Sequence, residues 1–170
     1  MELQILICGT GGQGILFLTK VLGEAALLIN VPIISSETHG MAVRGGSVVS
    51  HIKIGNFKSP LIRSGGADVV FALSESEIAV CGHYLKNKGS AFINSNKVKS
   101  ENHCDATGLS LKAGSIKASN LSLLGYALAK NSFPFSYSII KDVVKKITPK
   151  EFLSINLMAL ELGYTFDFNG

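Results

Sequence analysis

The chain has 170 residues, enough for one domain with a sizeable core. Hydrophobic residues make up 46% and charged residues 16%, yet no stretch reaches the roughly 20 uninterrupted apolar residues that a membrane span needs. The net charge of +4 comes from scattered lysines, with one short cluster at Lys141, Lys145 and Lys146 and no interleaved aromatics, so nucleic-acid binding is unsupported.

The apolar surplus, with a mean hydropathy of +0.34, instead suits a subunit whose surface is partly covered by partner chains. The opening "MELQILICG" has no basic leader and reads directly as a strand, so a cytoplasmic protein is expected. Cys8, Cys81 and Cys104 are odd in number and lack C-x-x-C spacing. That argues against a disulfide framework, a zinc site or an iron–sulfur cluster held by this chain, and makes Cys8 a small core residue.

In chain order, "LQILIC" (Leu3–Cys8) reads as a buried strand, and residues 13–30 as a helix with Leu18, Leu22, Ala25, Ala26 and Ile29 on one side. Residues 31–37 give a second strand, completing a β-α-β unit. Residues 38–46 form a polar, glycine-bearing loop. "SVVSHIKIG" (47–55) is rich in β-branched residues. If it returns in a hairpin, the sheet is mixed rather than all parallel. Residues 67–73 and 89–94 are further strands. Ser74 and Glu77 have capping-box spacing for a helix between them, and a last short strand fits residues 103–111.

Beyond Ser119 the pattern is helical. Leu121, Leu124 and Leu128 share a face with Gly125, where a small residue permits close packing. Ile140, Val143, Val144 and Ile147 mark the next helix. The last opens at Thr148-Pro149 and is expected to stop at Gly163. The whole reads as one domain spanning residues 1–170: a Rossmann-like, three-layer α/β/α sandwich with a largely parallel sheet.

"GTGGQG" (Gly9–Gly14) joins the first strand to the first helix, and Gly9, Gly11 and Gly14 spell G-x-G-x-x-G. Such a loop offers free N–H groups and a helix N-terminus to an anion, and Glu37 stands about where a dinucleotide fold places its ribose-binding acid. Against this, Ile15, Leu16 and Phe17 are bulky at the mouth of a pyrophosphate site. Two readings therefore stay open: a nucleotide loop, or a packing turn in which valine at Gly11 or Gly12 would do damage. A second block, "ETHGMAVRGGSVVSHIKIG", gathers Thr38, His39, Gly40, Arg44, Gly45 and Gly46 at the end of the second strand. In open α/β sheets that end is where ligands and partners sit.

Together the two blocks resemble the gamma-type subunit or domain of the 2-oxoacid:ferredoxin oxidoreductases. "THGMAVRGG" is similar in particular to the small beta subunit of indolepyruvate:ferredoxin oxidoreductase. "GADVVFAL", "NLSLLGYALA" and "NLMALELGY" extend the likeness over almost the whole chain.

The resemblance implies an accessory subunit of an enzyme that oxidatively decarboxylates a 2-oxoacid, transfers the acyl group to coenzyme A and passes electrons to ferredoxin. Thiamine diphosphate and iron–sulfur clusters would belong to partner subunits, and this chain alone would hold no cofactor and no metal. It also implies no catalytic residue here. Gly9, Gly11, Gly12, Gln13, Gly14, Thr38, His39, Gly40, Arg44, Gly45 and Gly46 become candidates for a cofactor-facing or subunit interface. The isolated chain is expected to self-associate. A stand-alone Rossmann-type nucleotide-binding oxidoreductase or sensor, using the glycine loop and Glu37, is the alternative.

Overall fold

The computed structural model describes residues 1–40, 45–97, 100–131 and 133–167. The strands are β1 (Leu3–Thr10), β2 (Ile33–His39), β3 (Ser47–Ile54), β4 (Ala67–Ala72), β5 (Leu85–Asn94) and β6 (His103–Cys104). The helices are α1 (Ile15–Leu28), α2 (Ile78–Cys81), α3 (Ala106–Ala113), α4 (Ser119–Ala129), α5 (Tyr137–Ile147) and α6 (Lys150–Tyr164). They form one six-stranded sheet in the order β2-β3-β1-β4-β5-β6.

The sheet is mixed. β1, β4, β5 and β6 are parallel neighbours, while β3 runs antiparallel to both β1 and β2. The hairpin partner of β3 is the strand before it. β2 is consequently not the neighbour of β1 that a simple β-α-β unit would make it; β3 lies between them.

The strands sort their side chains by alternation. Ile5 and Ile7 of β1 join a large cluster with Ile52, Ile54, Phe71 and Phe92, covered by α1, α3, α4, α5 and α6. Leu6 and Cys8 face the other way into a small cluster with Val70, Ala72, Ile62 and Cys81. The two outer layers of the sandwich are therefore unequal: five helices on one side, and α2 with the 55–66 segment on the other. On the thin side His51 is 4% exposed, and its Nδ1 accepts a hydrogen bond from the Ile62 N–H at 3.3 Å. Burial, and secondarily the nearby Lys53 charge, hold this imidazole below the usual histidine range, which keeps Nδ1 free to accept.

Cys8 and Cys81 form a disulfide across this thin layer, joining β1 to α2 over a sequence separation of 73. Cys8 is buried as expected, but the expectation of no disulfide is overturned. Residues far apart in sequence meet because α2 packs back over the end of β1. Cys104 remains a free, buried thiol, and burial with the Asp105 charge pushes it up to about 12.

Several boundaries differ from expectation. The Ser74–Glu77 capping box does not form: Ser74 Oγ pairs with Ser76 Oγ, Glu77 accepts from Ser47 Oγ, and the helix shrinks to two short 3-10 turns flanking α2. The expected strand at 103–111 is only β6. Asp105 then caps α3 by accepting from the Gly108 N–H at 2.8 Å. α6 runs through Gly163 to Tyr164, because that glycine is a contact point with α4 rather than a stop.

Candidate functional site

The carboxyl ends of β1, β4 and β5, the amino end of β3 and the end of β2 share one edge of the sheet, so both glycine-bearing blocks lie together. Thr10 is in register with Ser47, and the Gly11 N–H donates to the Gly46 carbonyl at 3.2 Å. Thr38 and His39 belong to the end of β2 rather than to the loop. Thr38 Oγ1 reaches the Val49 carbonyl at 3.4 Å, and His39 is exposed. The Gly40 N–H donates to the Ser47 carbonyl at 2.8 Å, closing the base of the hairpin. Gly45 has φ 73°, with open space where a Cβ would stand. Arg44 lies outside the described residues.

The Gly9–Gly14 turn is filled from within. Gln13 folds its side chain back so that Oε1 accepts from the Thr10 N–H at 2.8 Å while Nε2 donates to the Leu73 carbonyl at 3.3 Å. A Cβ on Gly9 would stand 2.7 Å from Gln13 Oε1, so the first glycine makes room for this carboxamide. Gly14, at φ 78°, precedes α1. Its carbonyl accepts from the Leu18 N–H at 3.0 Å and from Asn120 Nδ2 of α4 at 2.9 Å. A Cβ there would collide with the Asn120 amide. The loop is thus braced to β4 through Gln13 and to α4 through Asn120.

Glu37 completes the contrast with a dinucleotide site. With β3 inserted, it sits two strands from β1, roughly 10 Å away at normal strand spacing, and faces the groove beside α1. The glycine loop and the acid that would hold a ribose are not brought together.

Gly11 and Gly12 differ. Gly12 has φ 96°, a conformation that L side chains rarely adopt, whereas Gly11 has neither a positive φ nor any atom near its missing Cβ. Gly12→Ala is expected to lower stability by roughly 1–2 kcal/mol and Gly11→Ala to leave it near wild type. Thermal unfolding of the two variants checks this. The expected damage at Gly11 is therefore not an internal packing effect.

Beside the loop, a polar cleft of about 380 Å³ opens at the ends of β1, β4 and β5, with Gln13, Glu75, Asn94, Ser95, Lys97 and Thr107 on its wall. Ser95 Oγ donates to Glu75 at 2.9 Å, and Ser47 Oγ donates to Glu77 at 2.7 Å. Asn94 bridges the cleft floor, donating to the Leu73 carbonyl and Thr107 Oγ1 while accepting from the Thr107 N–H. Of these, sequence reasoning named Gln13 as a site residue and missed Glu75, Glu77, Asn94, Ser95, Lys97 and Thr107. The available signal was their place, immediately after two apolar strands, where α/β sheets present ligand-facing groups.

Such a surface can bind and shape. Among the described residues no group of three or more His, Cys, Asp and Glu could hold a metal. Two cysteines are joined to each other and the third is a buried, protonated thiol, so the chain offers no thiolate set to a cluster.

Comparison with known proteins gives a consistent family. The chain is 29% identical to indolepyruvate oxidoreductase subunit IorB of Archaeoglobus fulgidus, over all of this chain and 98% of that protein. It is 30% identical to the Thermococcus kodakarensis subunit of the same name, over 95% and 94% of the two chains. The fold matches the gamma subunit of a keto/oxoacid ferredoxin oxidoreductase from Geobacter sulfurreducens with a TM-score of 0.77, at 22% identity, over 95% and 96% of the chains. It also matches 30% of a chain of 2-oxoglutarate:ferredoxin oxidoreductase from Magnetococcus marinus, with a TM-score of 0.76 and 18% identity over 95% of this chain. Residues 4–166 fit the model of the pyruvate ferredoxin/flavodoxin oxidoreductase family, and with full-length relatives on either side of that match the chain belongs to this family.

Proposed function

We propose that the chain is an accessory subunit of a cytoplasmic 2-oxoacid:ferredoxin oxidoreductase, acting on indolepyruvate or a related arylpyruvate. Its relatives named for indolepyruvate oxidoreductase match it from end to end, which supports that substrate class. The observation that carries the accessory reading is the glycine loop itself. Gln13 fills it and Asn120 braces it, so it acts as a scaffold joined to Gly46 at the start of β3 rather than as a phosphate cradle.

Partner subunits would hold thiamine diphosphate and iron–sulfur clusters, and together they supply decarboxylation and electron transfer to ferredoxin, with coenzyme A accepting the acyl group. This chain's contribution is a rigid wall. Gly11, Gly12 and Gly45 present backbone without side chains, letting a partner approach closely. The hydroxyls and carboxylates of the polar cleft flank that approach.

Arg44 is proposed to serve the same interface. Its guanidinium suits bidentate recognition of a carboxylate or phosphate and stays protonated, so it is no acid or base. Arg44→Lys is expected to leave the fold intact. It should weaken assembly, or raise the KM for 2-oxoacid or coenzyme A by about one to two decades, as expected for a lost charge-assisted contact of ~1.5–3 kcal/mol. Gel filtration and steady-state kinetics of the reconstituted complex read this out.

Calorimetric titration of the isolated chain separates the accessory reading from a nucleotide-binding one. No binding of NAD, NADP or FAD is expected. Micromolar binding lost in Glu37→Ala would establish the nucleotide-binding alternative instead.

A further inference from the structure

The stretch 74–84, which leaves the carboxyl end of β4, bridges both walls of the candidate site. Glu75 accepts from Ser95 Oγ, just beyond β5, at 2.9 Å. Glu77, 5% exposed, accepts from Ser47 Oγ at the start of β3 at 2.7 Å. Ser47 is itself in register with Thr10, and its carbonyl receives the Gly40 N–H. Two carboxylates thus tie β3 and the end of β5 to one short piece of chain. Cys81 fastens the same piece to Cys8 of β1, close to the glycine loop.

Little else holds the middle of this stretch. It is built from the four residues of α2 between two 3-10 turns, too short to be stable alone. Within 74–84, Cys81 is the only fully buried apolar side chain; Ile78 and Tyr84 are partly buried, and Val80 is 46% exposed. The ends are hinged by main-chain bonds. At one, the Leu73 N–H donates to the Cys8 carbonyl at 2.8 Å; at the other, the Gly65 N–H donates to the His83 carbonyl at 3.0 Å. A region with so few apolar contacts opens locally far more readily than the whole domain unfolds. The covalent bond therefore decides whether the stretch stays closed.

We infer that the Cys8–Cys81 pair is a redox-controlled clasp on this edge of the sheet. Oxidised, it holds Glu75 and Glu77 against Ser95 and Ser47. Reduced, it frees the stretch to swing away between its two hinges. The reductant is a dithiol. During a local opening its thiolate attacks Cys81 Sγ, the S–S bond breaks, and Cys8 leaves as a thiolate that takes up a proton. The second thiol of the reductant then displaces Cys81, which is released as a thiol, and the dithiol departs as its own disulfide. Two electrons and two protons pass to the chain. In the cytoplasmic setting proposed above, a disulfide is characteristically transient and redox-sensing rather than a permanent staple. What the clasp gates, the docking of a partner on this edge, rests on the accessory-subunit reading; the opening itself does not.

Hydrogen–deuterium exchange of the full chain, before and after excess dithiothreitol, tests the clasp without measuring activity, so its failure is distinct from failure of the proposed function. Reduction is expected to speed exchange across residues 75–84 by about tenfold or more, and to speed it at the start of β3 and the end of β5 as well, while the amides of α4 and α6 keep their protection. Reoxidation with oxidised glutathione should restore the slow rates. Cys81→Ala should exchange like the reduced chain with or without dithiothreitol, and protection retained in α4 and α6 excludes misfolding as the cause. Identical exchange in the two states would overturn the proposal. So would a change confined to 75–84 that leaves β3 and β5 untouched, a loss of protection throughout the chain, or a disulfide that does not re-form.

Discussion

Gly163→Ala is expected to lower the melting temperature by about 6–12 °C, because overpacking of this kind costs ~3 kcal/mol and each kcal/mol is worth roughly 2–4 °C in a chain of this size. α4 and α6 cross in backbone contact. A Cβ on Gly163 would land on the Ser122 carbonyl, and a Cβ on Gly125 would land on the Leu160 carbonyl and stand 2.8 Å from the Tyr164 nitrogen. The obstruction is main chain on both sides, so no rotamer change relieves it. Gly125→Ala should behave alike.

Gly23→Ala is the contrasting case. It too replaces a helical glycine, but its Cβ would meet only Ile33 Cδ1, at 3.5 Å, an ordinary contact. There the higher helix propensity of alanine should raise stability by up to about 1 kcal/mol. Opposite shifts in the two melting curves are the expected result. A Gly163→Ala melting curve at or above that of the wild type would mean that the helix contact at Gly163 is looser than its geometry indicates.

The second large effect concerns the disulfide. A crosslink between residues 73 apart restricts the unfolded chain enough to contribute about 4 kcal/mol in the chain-entropy account. Cys81→Ala should therefore melt well below the oxidised wild type. Under strong reductant the wild type should fall towards the variant. Thiol counting on the unreduced, denatured chain gives an independent check: one free thiol, at Cys104, is expected. Three would show that Cys8 and Cys81 are buried neighbours without a bond, and the two melting curves should then differ only by the lost side-chain packing.

Both effects bear on what was legible in the sequence. Apolar runs such as Leu3–Cys8 and Ala67–Leu73 mark buried strands because strand alternation is local, and the close packing expected at Gly125 is present. Locally, Gly163 has the meaning of a helix end, because it follows an apolar helical stretch. Only the distant Ser122 carbonyl gives it another. The same holds for Cys81 and Cys8, whose meeting depends on where α2 packs. The antiparallel turn in the sheet was legible from 47–55, but its partner was not, since strand order depends on long-range pairing. β3 between β1 and β2 is also what removes Glu37 from the glycine loop. The motif read correctly as strand, turn and helix, while the Gln13 carboxamide that fills it could be seen only once Leu73 stood next to the turn.

The central claim is that this chain is an accessory part of a thiamine- and iron–sulfur-dependent enzyme. Co-purification tests it most directly: the tagged chain is isolated anaerobically from its own cells, its partners are identified by mass spectrometry, and coenzyme-A-dependent reduction of ferredoxin or a dye by arylpyruvate is measured. The account predicts a brown complex with a larger thiamine-diphosphate and iron–sulfur subunit, with activity that needs both chains. A colourless chain recovered without such a partner, or a partner fully active in its absence, would contradict it.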